Sequence, residues 1–361
     1  MILSRHPIFY LTLWAIALCA VSALNGCAKI PLEMHLGVTV GDSTDRVWPG
    51  LPELPRYRYA GELTGEDNFR PVEGGRGQGV RKVLRWLVGL GAKRADQTVL
   101  QRPQSGAVDS QGRIYVTDIS RAGVFVFDPV AGQLDVWDRA EWNTPFIAPI
   151  GVLVADNGEI LVSDAELGAV FRLDYEGKPL GRIEHSTLQR PTGIARDTDT
   201  GMLYVADTHA HDIKVFAPTG QLHRTIGKPG SELGEFNSPT HISFANNRIY
   251  VADTLNARVQ IMTPDGENVS SAGERGLYLG NLTHPKGVAA DSDGNVYVTE
   301  SFYDYLLIYN EKGQFLLPIG GTGSQVGQFF LPAGVWMDQQ DRLYVADMFN
   351  GRVTVLQYLG G

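Results

Sequence analysis

From residue 103 to residue 361 the chain alternates short apolar runs with turn residues at a nearly fixed period. The plainest marker is a five-residue phrase of apolar residues closed by an acid. It reads IYVTD at 114–118, ILVSD at 160–164, LYVAD at 203–207, IYVAD at 249–253, VYVTE at 296–300 and LYVAD at 343–347. The closing acids are Asp118, Asp164, Asp207, Asp253, Glu300 and Asp347, which stand 46, 43, 46, 47 and 47 residues apart. A phrase opened by proline precedes it: PIGVLV, PTGIAR, PTHISF, PKGVAA and PAGVWM. A third run follows, such as RVQIM or RVTVL, then a turn (PDGE, EKGQ) and a fourth run (LHRTIG, FLLPIG). Alternating apolar residues bounded by Gly and Asp-Gly turns predict strands and hairpins. Units of this length accommodate four short strands each.

A longer signature, G-x-x-G-x-x-x-G-x-[FL]-x-x-P, joins the fourth run of one unit to the first run of the next. It fits Gly227, Gly230, Gly234, Phe236 and Pro239. It fits again at Gly273, Gly276, Gly280, Leu282 and Pro285, and at Gly320, Gly323, Gly327, Phe329 and Pro332. A phosphate-cradling loop needs a helix N-terminus behind it, and here a strand follows. These glycines are expected to supply positive φ in a loop crossing between sheets.

Taken together, the proline phrase, the acid-closed phrase and the glycine loop resemble the NHL repeat over residues 100–361. The resemblance implies an all-β fold, a six-bladed β-propeller of NHL repeats. The stretch VWPGLPELPRYRYAGELTGEDNF (47–69) is similar to the lead-in of bacterial NHL-repeat lipoproteins. The sixth unit has a third strand at 352–358 and no fourth. YRYAGEL (57–63) has the character to supply it, closing the ring and covering the last sheet edge. One segment stands outside the repeat. In 70–100, Val80, Val83, Leu84, Leu87 and Val88 share one helical face, and Arg81, Lys82 and Arg85 share the other. A short helical insert is expected there, either packed on one end of the propeller or meeting anionic lipid or a partner.

The first residues read differently. A basic start (Arg5, His6) is followed by an uncharged apolar stretch from Ile8 to Leu24 and then LNGC at 24–27. This is the layout of a secretory signal. Its ending resembles a lipobox, which implies cleavage before Cys27 and diacylation of that cysteine. A plain membrane anchor is the alternative, for which the apolar run is slightly short. The expected organisation is a signal peptide over 1–26, a lipidated flexible tether over 27–50, and a propeller over 51–361 carrying the insert at 70–100. The chain holds 2 cysteines, Cys19 and Cys27, so the expected mature domain has no disulfide and no thiol chemistry. With 42 glycines the composition suits many tight turns. The formal charge of −9 makes nucleic acid a poor partner.

Candidate chemistry is sparse. The resemblance places the first strand of each unit along a central channel. The loops before it and after the second strand then lie on one face, where propellers usually bind. Two positions after each proline stand Ser105, Gly151, Gly193, His241, Gly287 and Gly334, and two further on Ala107, Leu153, Ala195, Ser243, Ala289 and Trp336. None is a carboxylate, so the oxygen-ligand site of six-bladed lactonases is not present in this pattern. The related peptidylamidoglycolate lyase propellers use histidines directly after the repeat proline. Here those positions are Gln104, Ile150, Thr192, Thr240, Lys286 and Ala333. The closing acids are expected to accept loop N–H groups rather than form a carboxylate ring. The loops after them vary, reading Ser120, Glu166, His209, Leu255, Phe302 and Phe349 two residues past the acid, with Tyr303 and Tyr305 nearby. These loops read as acidic or apolar.

The expected function is a lipid-anchored envelope binding or scaffold propeller, with His209, His241, Phe302, Tyr303, Tyr305 and Phe349 on its binding face. Its partner would be a protein, peptide or glycan of the cell envelope, with membrane contact through the N-terminal lipid and no nucleic acid. The alternative is a metal-dependent lyase or hydrolase using His209, His211 and His241. No cofactor is expected, apart from the divalent metal of that alternative. The expected location is exported and lipid-anchored, at the outer membrane facing the periplasm or the cell surface.

Overall fold

A computed structural model describes residues 31–37, 46–72, 97–267 and 269–360. The expected signal sequence, Cys27 and the helical pattern expected of the insert lie outside the described residues. Among the described residues the fold is all-β, and helix is confined to three single 3-10 turns.

Five antiparallel four-stranded sheets and one five-stranded sheet form six blades around a central axis. The innermost strands are Pro103–Val108, Pro149–Val154, Pro191–Arg196, Pro239–Ala245, Pro285–Ala290 and Pro332–Met337, in blades one to six. Each touches the innermost strands of both neighbouring blades, so they close into a ring. The second strands are the acid-closed phrases. Their burial explains their composition: each blade is sandwiched between two others, so both faces of the strand are apolar. In LYVAD at 203–207 every residue is buried. Tyr115, Tyr204, Tyr250, Tyr297 and Tyr344, at the same place in five phrases, have almost no exposed surface. The buried apolar residues fall into six clusters, each built from two adjacent blades.

Blade six takes its outer strand from the other end of the chain. Tyr57–Leu63 pairs antiparallel with Arg352–Tyr358, matching Leu63 with Val353 and Tyr57 with Tyr358. Arg352 Nη1 lies 3.0 Å from Glu62 across this pairing, and the Tyr57 hydroxyl meets that of Tyr297 in blade five at 3.0 Å. Parts of the stretch expected as flexible tether are ordered into the same body. Val47–Trp48 pairs with Tyr57–Leu63, and Leu32–Met34 pairs with Phe69–Pro71. Buried Asn68 fastens this segment by donating to the carbonyls of His35 and Glu62 and accepting from the amides of Thr64 and Gly65.

The glycine signature has two physical causes. Its first and third glycines have positive φ, as at Gly227 (81°) and Gly234 (81°). The residue that follows in the signature, Phe236, Leu282 or Phe329, is fully buried. The glycine of the proline phrase answers to a different need. A Cβ on Gly193 would come within 2.5 Å of His241 Cα, and one on Gly287 within 2.5 Å of the Ala333 carbonyl. The inner strands converge so closely that side chains are excluded there.

Candidate functional site

Two of the six positions on that inner ring are not glycine, and they meet. Ser105 on blade one and His241 on blade four face each other across the axis, with Oγ and Nε2 3.4 Å apart. The amide of Val288 donates to His241 Nδ1 at 3.4 Å. Nδ1 is therefore the acceptor nitrogen, and the ring proton sits on Nε2, aimed at the serine. In this arrangement His241 donates to Ser105 and does not act as its base. Burial pushes the imidazole down to about 4, keeping it neutral. Further along the inner strands Ser243 Oγ and Trp336 Nε1 are buried without a hydrogen-bond partner among the described residues.

The closing acids are structural latches. Asp118 accepts from the amides of Gln101 and Arg102, in the loop entering its blade, and from those of Ser120 and Arg121, in the loop after its strand. Asp164 does the same with Ile147, Ala148, Glu166 and Leu167. Asp253 and Asp347 also hold Arg258 and Arg352, at 2.9 and 2.8 Å. All six acids are buried. They tie together the two loops that build the face above.

Of the residues expected to bind, His209, Phe302, Tyr303 and Phe349 lie in the loops of that face, whereas His241 is buried at the axis against Ser105. Phe302 stacks on His284 at 6.0 Å and meets Tyr303 edge-on at 4.9 Å. On the next blade Phe349 packs against Phe330 at 5.4 Å, and the Arg102 guanidinium sits 5.0 Å over the Phe349 ring. Phe302 is 58% exposed, Phe349 44% and Phe330 43%. Tyr305 is placed differently. It starts the third strand of blade five and is partly buried against the core shared with blade four.

The three histidines of the metal alternative occupy three different surroundings. His209 is exposed at a loop tip. His211 has φ 56°, and its Nδ1 accepts from the Ser238 amide at 2.9 Å. His241 faces Ser105. Among the described residues no three His, Cys, Asp or Glu side chains converge as a metal site. The slot of His211 recurs in every blade, always with positive φ, as Ala122, Gly168, His211, Ala257, Asp304 and Gly351. Asp304 uses it as His211 does, accepting from the Leu331 amide at 2.6 Å in the following blade. Both donors, Ser238 and Leu331, precede the repeat proline and themselves have positive φ.

The loops entering the blades bring positive charge to the same face. Arg102 and Arg121 are exposed there. Arg275 anchors to the Leu255 carbonyl at 2.6 Å, and Arg190 pairs with Glu166 at 2.6 Å. That bond holds the Glu166 carboxyl below its usual range. Lys286, one residue past the proline of blade five, is partly buried. Its amino group is pushed down by burial and then by the positive charge of Arg190. Sequence reasoning missed His284, Phe330, Arg102 and Arg190 because all four lie in the loops entering the blades. The available signal was the repeated pair Arg-Pro at 102–103 and 190–191.

Comparison with known proteins supports the architecture. The family model described as "NHL repeat" matches residues 188–216, one unit of the six. Solved structures similar to this chain include virginiamycin B lyase from Staphylococcus aureus, at 13% identity and a TM-score of 0.54, covering 72% of this chain and 96% of that one. A gluconolactonase from Xanthomonas campestris aligns at 15% identity and TM-score 0.56, covering 75% and 92%. An auxiliary nutrient binding protein from Bacteroides ovatus aligns at 13% and 0.56, covering 71% and 69%. At these identities the likeness is one of fold.

Proposed function

We propose that this NHL-repeat propeller is a lipid-anchored recognition module of the bacterial envelope, binding a protein, peptide or glycan on its loop face over blades five, six and one. The observation that carries this reading is the run of exposed rings on adjacent blades, Phe302 with Tyr303 and His284, then Phe349 with Phe330 beneath Arg102. Exposed aromatics beside arginine are the composition of interface hot spots. Buried latches hold the loops carrying them, so little ordering free energy is spent on binding.

The anchor supports the same orientation. The described chain starts at Pro31, whose carbonyl accepts from Val72. Leu32 lies against Gly132, in the turn between the third and fourth strands of blade one, on the face opposite the loops. If Cys27 carries lipid, no more than about 14 Å of chain links it to Pro31. The turn face then meets the bilayer, and the loop face points away from it. Exposed Val130 and Val72 lie at that membrane-facing edge.

A metal-dependent lyase or hydrolase is the second reading, since one similar fold is a lyase and another a gluconolactonase. Its candidate histidines are spread over the surroundings described above, which weighs against it.

The test is capture of the envelope partner from solubilised membranes. Replacing Phe302 and Phe349 by alanine together is expected to lower capture about tenfold or more. Val130→Ala on the opposite face is expected to leave it unchanged. Capture insensitive to the double substitution would remove the reading.

A further inference from the structure

The residue just before each acid-closed phrase lies at the turn face. It reads Arg113, Glu159, Met202, Arg248, Asn295 and Arg342 in blades one to six. Every polar one except Arg248 is held by a partner. Arg113 meets Asp128 at 2.5 Å, Glu159 meets Arg172 at 2.8 Å, Asn295 donates to Asp291 at 2.8 Å and Arg342 meets Asp338 at 2.7 Å. The acid six residues past the repeat proline has a second task. Asp109, Asp291 and Asp338 accept from the hydroxyls of Tyr115, Tyr297 and Tyr344, at 3.2, 2.8 and 2.8 Å. In blade six one carboxylate therefore gathers both an arginine and a tyrosine.

Blade four keeps that arginine and tyrosine, Arg248 and Tyr250, and lacks the acid. Ala245 stands where blade six has Asp338, and Thr263 where blade one has Asp128. Among the described residues Arg248 forms no ion pair, and the polar neighbour of the Tyr250 hydroxyl is the Asn246 amide. The hairpin here is short, with only Asn246 and Asn247, both at positive φ, between the paired Ala245 and Arg248. A cavity of about 440 Å³ opens beside it, between blades four and five. Arg248 and the buried Tyr250 line it from blade four, and Asp293 and Glu311 from blade five. Neither of those two acids forms an ion pair among the described residues. Asn246 ties the two walls together by donating to the Asp291 carbonyl at 2.8 Å.

We infer that this cavity binds a small zwitterion, a free α-amino acid. Its carboxylate takes the place that Asp338 fills in blade six, and its ammonium faces Asp293 and Glu311. A guanidinium and a phenol already receive a carboxylate in this way one repeat type away, and a charged acceptor is stronger than the neutral Asn246 oxygen. Arg248, Asp293 and Glu311 sum to one net negative charge, so a basic side chain on the ligand adds to the attraction. The site lies on the face opposite the aromatic loops and does not rest on the recognition reading.

Isothermal titration calorimetry of the purified chain with L-lysine tests this. Binding is expected with a Kd of about 1 mM or tighter. Cadaverine, which lacks the carboxylate, and L-glutamate are expected to bind about tenfold more weakly or less. Ala245→Asp rebuilds the blade-six arrangement inside the cavity. It is expected to abolish lysine binding without lowering Tm. Arg248→Gln, at an exposed position, is expected to weaken binding about tenfold. Absence of lysine binding overturns the inference, as does cadaverine binding as tightly as lysine. Undiminished lysine binding by either variant overturns it as well.

Discussion

His241 shows how one side chain sets a stability profile. It is buried at the axis and unprotonated, with its ring pushed down to about 4, while an unfolded histidine titrates near 6.5. Above about pH 6.5 neither state binds the proton, and the full stability is present. As pH falls from there toward 4, the unfolded chain takes up a proton that the folded protein refuses, so stability is lost across that window. The loss amounts to roughly 3 kcal/mol. In melting curves between pH 7 and 5, His241→Asn is expected to show a shallower fall in Tm than the wild type. Parallel slopes would contradict the buried neutral histidine. His211 marks a limit of reading single residues. Asp207, His209 and His211 in DTHAH suggest metal chemistry, yet His211 fills a left-handed turn slot shared by all six blades and caps Ser238. The repeat alignment placed His209 in a loop, but the capping contact depends on the following blade and leaves no trace in local spacing. The side chains just past each proline were hard to place for another reason. In each blade the strand register shifts just after the proline. Simple alternation therefore fails to say where the next side chain points.

At the scale of elements, the acid-closed strand and the loops it latches form one unit. Asp253 accepts from the Asn237 amide, the Asn256 and Gln260 side chains and Arg258 while fully buried. Removing one partner of a buried ion pair strands the other charge, at a cost of about 3 kcal/mol or more. Asp253→Ala is thus expected to lower Tm by about 8 °C. Partner capture by the remaining folded protein, measured well below Tm, is expected to stay intact. A selective loss of capture with unchanged Tm would instead make the acid part of the binding site. The strands themselves were legible because both of their faces are buried, which forces near-continuous apolar runs ending in an acid. The glycine of the proline phrase was legible only as a pattern. Its cause, the close approach of neighbouring inner strands, lies between units more than forty residues apart along the chain.

Across the whole molecule the sequence ends meet in blade six. The missing fourth strand of the last repeat pointed to Tyr57–Leu63, and that segment pairs with Arg352–Tyr358. The docking of Leu32–Met34 beside it was not legible, because a three-residue strand with one partly buried side chain carries no periodic signal. Its consequence is an orientation: the chain leaves toward Cys27 from the turn face, and the aromatic and cationic loops occupy the opposite face. The most direct measurement is site-specific photocrosslinking in intact cells, with a photoreactive residue placed at Phe349 or at Val130. The account predicts a discrete macromolecular adduct from position 349 and only lipid adducts from position 130. A macromolecular adduct formed at position 130, with none at position 349, would contradict it.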